Sequence, residues 1–152
     1  GLMILICLSL PWFIGSTLFR IVDGASMEPT LRPGTVVAMI PASMYGALDR
    51  GDIAVMTTGW EADLTVIKRV AGLPGDCVSQ VATKPGSLKN PCVLVRADHL
   101  YVLGDNPSRS SDSRQNGQVP AGAILGVVKC VVWPLRAIRC GRFVSRGLPE
   151  VR

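Results

Sequence analysis

Apolar and polar positions follow two different rhythms along this chain. From Leu2 to Phe19 no charged residue interrupts the run, which is just long enough to cross a bilayer as a helix; Pro11 and Gly15 would bend or weaken it, and Arg20 closes it. From Thr35 onward the pattern changes to short β-branched runs punctuated by Gly, Pro and Asp: Thr35–Ile40, Ile53–Met56, Leu64–Ala71, Val93–Val95, Leu100–Leu103 and Ala123–Val132. These predict strands of a mostly antiparallel β domain. The stretch from Ile124 to Leu135 contains Lys129 and Pro134, so it reads as a buried strand and not as a second membrane span.

Length and composition sharpen this picture. A chain of 152 residues, 48% apolar, is one domain with a modest core, and 16 glycines with only 5% aromatics favour strands and loops. We expect an anchor over residues 1–20, a β domain over 21–140 with a short insert at about 78–98, and a basic tail over 141–152. A cleaved signal peptide is the rival reading of the first segment, but no basic leader precedes it, and Gly1 implies a start further upstream.

The candidate chemistry begins from a shortage. His99 is the single histidine, so a serine nucleophile must find another base. A lysine serves if its site lowers its pKa by roughly 3 pH units, about 4 kcal/mol. In Leu64–Ala71, strand alternation puts Leu64, Val66, Lys68 and Val70 on one face, and Thr65, Ile67, Arg69 and Ala71 on the other. Lys68 in that apolar row is either a stem packed on the sheet with its head in water or a buried amine tuned for proton transfer. Ser26, ahead of Met27-Glu28-Pro29, is by itself either a turn residue or a nucleophile.

The ordered set of motifs decides between these readings. An apolar N-terminus, Ser26-Met27-Glu28-Pro29-Thr30-Leu31, Arg50-Gly51-Asp52-Ile53-Ala54-Val55, Ile67-Lys68-Arg69-Val70-Ala71-Gly72-Leu73-Pro74-Gly75-Asp76, and Gly104-Asp105-Asn106-Pro107-Ser108-Arg109-Ser110-Ser111-Asp112-Ser113-Arg114 follow one another over nearly the whole chain. In this the chain resembles the type I signal peptidases, membrane-bound serine endopeptidases with a Ser-Lys dyad that remove signal peptides from exported precursors. The resemblance implies an antiparallel β-sheet catalytic domain of that type behind an N-terminal transmembrane helix.

It further implies Ser26 as the acyl-enzyme nucleophile, Lys68 as its general base, Ser110 as the hydroxyl that orients the amine, and Asp112 with Arg114 as a supporting ion pair. The Ser26 backbone N–H would stabilise the oxyanion. At Gly24, some relatives carry a second donor hydroxyl that glycine lacks. Met27 is expected to pack beneath the site. An extended substrate with small side chains, as in Ala-x-Ala, would add as a strand between Ile21, Val22, Asp23 and Gly24 on one side and Leu64, Thr65, Val66 and Ile67 on the other.

No Cys/His cluster has metal-ligand spacing, so neither metal nor cofactor is implied. Cys77 and Cys92 bracket a segment that is either a disulfide-closed hairpin, with Lys84–Ser87 as its tip, or a pair of free thiols. The excess of positive charge, +5 overall, collects in Arg136, Arg139, Arg142, Arg146 and Arg152. Without an aromatic platform or recognition motif these exclude nucleic acid and point to lipid headgroups or a soluble tail, with Phe143-Val144 dipping into the interface. The expected partners are signal peptides and the lipid bilayer, for a monomer in the cell membrane, crossing once, with its catalytic domain on the extracytoplasmic side. Two alternatives remain: a specialised membrane protease for one dedicated secretion or conjugation substrate, and a catalytically silent, membrane-tethered peptide-binding module.

Overall fold

The alternation of β-branched residues produces the strands, and the Gly/Pro/Asp clusters end them. The structure, a computed structural model, describes residues 18–60, 64–79 and 92–143. Its strands are β1 (Phe19–Ile21), β2 (Val36–Pro41), β3 (Ile53–Thr57), β4 (Thr65–Gly72), β5 (Cys77–Ser79), β6 (Cys92–Leu94), β7 (His99–Leu103), β8 (Val119–Pro120), β9 (Ile124–Trp133) and β10 (Arg139–Cys140). A single turn of helix, α1 (Ser113–Asn116), joins β7 to β8. The main sheet runs β1-β2-β9-β3-β4-β7-β8, with β10 on β9, while β5 and β6 form a separate hairpin. Every strand pairing among the described residues is antiparallel, as expected.

The sheet buries both faces, and odd and even positions of one strand serve different layers. Ile53 and Val55 of β3 join Val37, Met39, Val128 and Val131 in a first core; Ala54 and Met56 join Val70, Leu100, Val102 and Val119 in a second. The segment from Val22 to Leu31 lies across the first face, where Val22, Met27 and Leu31 pack into the first core. Met27 and Leu31 are almost wholly enclosed, each side chain contributing about 1.5–3 kcal/mol by removal from water. Met27 therefore packs as the sequence suggests, and it holds its neighbour Ser26 in place.

Three expectations change. Phe19 and Arg20, placed at the end of the apolar run, belong to β1, opposite Ala38 and Val37. Residues 1–17 of the expected anchor lie outside the described residues, among which no helix is long and apolar enough to cross a membrane. Phe143, expected at an interface, is half-buried against the first core, and its carbonyl accepts from Arg69; Val144 lies outside the described residues. The basic stretch is partly structured as well, since Arg139 and Cys140 pair with Val131 and Cys130.

Both ends of the proposed insert are closed. Cys77 and Cys92 are disulfide-bonded across the β5–β6 hairpin; Lys84–Ser87, its expected tip, lies outside the described residues. A second disulfide joins Cys130 to Cys140 and fixes β10 to β9.

Candidate active site

Lys68 occupies the apolar row that alternation assigns to it. Val66 and Val70, two residues to either side, pack in the second core, and Ile67 packs in the first. The result is a lysine only 5% exposed in the middle of a strand. The pairing of β7 with β4 covers Arg69 to Gly72 and stops there. Ser26 stands at the next residue, and Lys68 Nζ donates to Ser26 Oγ at 2.8 Å. The structure places the buried Lys68 amine and the turn residue Ser26 side by side.

The turn that carries Ser26 is held at its backbone. Glu28 N–H donates to the Ala25 carbonyl and Leu31 N–H to the Met27 carbonyl. The Asn106 N–H donates to the Ser26 carbonyl at 2.9 Å, so the third motif grips the first directly. Gly104 makes this approach feasible: a Cβ there would fall 2.6 Å from the Ser26 carbonyl oxygen and 2.6 Å from the Ser110 Cβ.

Ser110 is buried beside this contact, and its hydroxyl donates to Asp112 Oδ2 at 2.6 Å. Asp112 Oδ2 also accepts from the Gly104 N–H at 2.9 Å, and Arg114 closes on both carboxylate oxygens of Asp112 in a bidentate pair. The same carboxylate caps α1 through the Arg114 N–H, while the Asp112 N–H donates to Gln115 Oε1. Burial pushes the Asp112 carboxyl up, but the Arg114 guanidinium, the Gly104 N–H and the Ser110 hydroxyl outweigh it and hold it below its ordinary value. Asp112 and Arg114 thus form an ion pair, as the resemblance implies, and its anchor is the loop that carries Gly104 and Ser110.

Sequence reasoning missed a second pair. Arg69, fully buried on the face opposite Lys68, forks onto Asp105 at 2.8 and 2.6 Å and also donates to the Gly51 and Phe143 carbonyls. It ties the strand carrying Lys68 to the loop carrying Asn106. Its signal was a charged residue at an inward-facing strand position, a placement rarely tolerated without a partner. The Arg50-Gly51-Asp52 motif is a brace of the same kind: Arg50 pairs with Asp76, whose carboxyl the guanidinium hydrogen bond holds below its usual range. Asp52 accepts from the Tyr45 hydroxyl at 3.0 Å and from the Asp49 N–H at 3.0 Å.

The expected substrate edges are both accessible. Asp23 and Gly24 are exposed, while Val22 is buried. Thr65, Val66 and Ile67 pair with β3 on one side, and β7 does not extend to them on the other. Leu64, just before β4, is 52% exposed. Among the described residues no group of His, Cys, Asp and Glu is placed to hold a metal ion.

Comparison with known proteins gives the family. The chain is 39% identical over 115 residues to the mitochondrial ATP-independent inner membrane protease subunit 1b of Arabidopsis thaliana, covering 74% of this chain and 68% of that one. To the human mitochondrial inner membrane protease subunit 1 it is 34% identical, with the same coverages. The zebrafish (Danio rerio) subunit 2 is 33% identical, covering 74% of this chain and 62% of that protein. The family model described as signal peptidase, peptidase S26, matches residues 1–85 and 80–133, and with the β fold and the motif order this shows that the chain belongs to the S26 signal peptidase family.

Proposed function

We propose that this peptidase is a membrane-associated serine endopeptidase that trims N-terminal targeting segments from precursor proteins, with Ser26 as nucleophile and Lys68 as general base. The observation that carries the reading is the 2.8 Å hydrogen bond between Lys68 Nζ and Ser26 Oγ, made by a lysine enclosed in an apolar row. Burial disfavours an ammonium, and a neutral amine at that distance takes the hydroxyl proton as Ser26 attacks the scissile carbonyl. The acyl-enzyme forms, the leaving amine receives a proton from Lys68, and the same amine then activates the water that releases the acyl group.

Ser110 keeps its oxygen available as an acceptor while its proton is committed to Asp112, which suits it to steer the lysine amine. Arg114 and Asp112 hold that loop without touching substrate. The Ser26 N–H is the first oxyanion donor. The Gly24 backbone is the second candidate, since its side offers no hydroxyl. An extended substrate adds to the open margin of Thr65–Ile67 and is flanked by 21–24, with small side chains near the cut.

Relatives named as mitochondrial inner membrane protease subunits favour that membrane over a bacterial cell membrane, and a protein working beside a second subunit over a monomer. The test is cleavage of a detergent-solubilised precursor with an Ala-x-Ala end by the wild type, Ser26→Ala and Lys68→Ala, from neutral to alkaline pH. Cleavage by the wild type alone is expected. A folded wild type that binds this precursor and others of its class without cutting any of them would instead indicate a silent binding module.

A further inference from the structure

Away from the Ser26–Lys68 contact, exposed apolar side chains collect at one end of the sheet. Ile21 on β1, Val36 on β2 and Trp133 on β9 stand in one cross-strand row, with Ile21 70% and Trp133 52% exposed. Leu135 and Ile138, just past β9, are exposed as well. Beside this row runs a groove of about 550 Å³ between the 29–35 loop and residues 131–139. Three guanidiniums line it, those of Arg32, Arg136 and Arg139, and no carboxylate does.

The groove arginines differ from the four that brace the fold. Arg50, Arg69, Arg114 and Arg142 each sit on a carboxylate. Among the described residues none of the three groove arginines forms such a pair. Arg139 is oriented by the Thr30 carbonyl and the Phe143 ring, 5.3 Å from its guanidinium carbon. Cations gathered around one groove with no acid between them favour an anion, and guanidinium forks match phosphate oxygens. Cations alone would suit any free anion, whereas an exposed indole and aliphatic side chains beside them suit a ligand that is anionic at one end and apolar at the other.

We propose that this groove binds the headgroup phosphate of an anionic phospholipid of the bilayer, with Trp133, Leu135 and Ile21 at the level of the acyl boundary. The inference rests on the membrane association proposed above: the uncharged sequence 2–18 leads directly into β1, the strand that carries Ile21. The groove begins at Pro29, in the same loop as Ser26, so a bound headgroup sets the height of the nucleophile above the membrane.

The test uses the full chain with Trp12→Phe and Trp60→Phe, leaving Trp133 as the single indole, reconstituted in phosphatidylcholine nanodiscs. Brominated phosphatidylglycerol and brominated phosphatidylcholine are titrated as quenchers of Trp133 fluorescence. The anionic lipid is expected to quench at a lower mole fraction, and Arg32→Gln with Arg136→Gln should raise its half-quenching fraction by about tenfold. That double variant should still cleave a soluble peptide in detergent at the wild-type rate.

Equal quenching by the two lipids, or no change in the double variant, overturns the headgroup site while leaving the membrane reading intact. Loss of the preference in excess inorganic phosphate overturns it in favour of a free-anion site. Quenching by neither lipid overturns both the site and the bilayer contact. Detergent cleavage by the wild type reports separately on whether the peptidase reading stands.

Discussion

Gly104 sits between the Ser26 carbonyl oxygen and the Ser110 side chain, with no room for a Cβ on either side. The backbone of the proposed nucleophile and the serine proposed to orient its base are therefore spaced by a single missing methyl group. Gly104→Ala should destabilise the protein by about 1–3 kcal/mol. It should also slow cleavage by about 100-fold, because the reacting groups are displaced by a fraction of an ångström to an ångström. A thermal melt together with kcat/KM on a precursor peptide checks both. Near-wild-type cleavage would show that this spacing has no catalytic importance.

A lysine base acts only when neutral, so kcat/KM should climb with pH and level off once Lys68 has lost its proton. Lys68→Arg should keep the fold and lose cleavage, since a guanidinium stays protonated and cannot accept the serine proton. A pH profile that is flat from acid to alkaline, or turnover by the arginine variant, would contradict the assignment.

The Arg69–Asp105 pair should matter more to stability than any surface pair. Asp105→Asn leaves a fully buried guanidinium without its counter-charge, and we expect a loss of about 3–5 kcal/mol by urea denaturation. Arg50→Gln, whose partner Asp76 lies near the surface, should cost much less. Similar losses for the two variants would mean that water reaches Arg69.

The depressed Asp112 pKa has a defined pH signature. A carboxyl held below its unfolded-state value, about 3.9, stabilises the fold above that pH, and the contribution disappears as pH falls through the folded-state value. Asp112→Asn should therefore be less stable than the wild type at neutral pH, by about 2 kcal/mol, and the gap should close towards acid. Stability curves for both proteins from neutral to strongly acidic pH decide this; a gap that persists undiminished in acid would assign the loss to packing.

The Cys130–Cys140 bridge closes a short loop, and removing it by paired substitution to serine should lower stability by about 3 kcal/mol on chain-entropy grounds. An unchanged midpoint in denaturant would show that the β9–β10 hydrogen bonds alone hold this end.

Much of the fold was written in local alternation. β2, β3, β4, β7 and β9 fall within about two residues of the expected runs, because each is a short apolar run rich in β-branched or, in β7, aromatic and aliphatic residues and bounded by turn residues. The row containing Lys68 was legible for the same reason. β1, β8 and β10 are two or three residues long and are strands by virtue of their neighbours, which no local window contains. The Arg69–Asp105 bond spans 36 residues of sequence. Alternation put Arg69 on the face opposite Lys68, yet could say neither that it is buried nor which acid it meets. The Asp112–Arg114 pair, two residues apart, came from the resemblance to the signal peptidases and not from alternation.

Ser26 and Lys68 lie 42 residues apart in the chain and meet only where the loop after β1 crosses the sheet to the margin of β4. A newly made chain, before β1 through β4 and β9 have assembled, holds a water-exposed lysine in its protonated form and an ordinary alcohol, neither of them reactive. In the proposed mechanism the activity thus arises with completion of the tertiary fold, and an unfinished molecule is harmless to its neighbours.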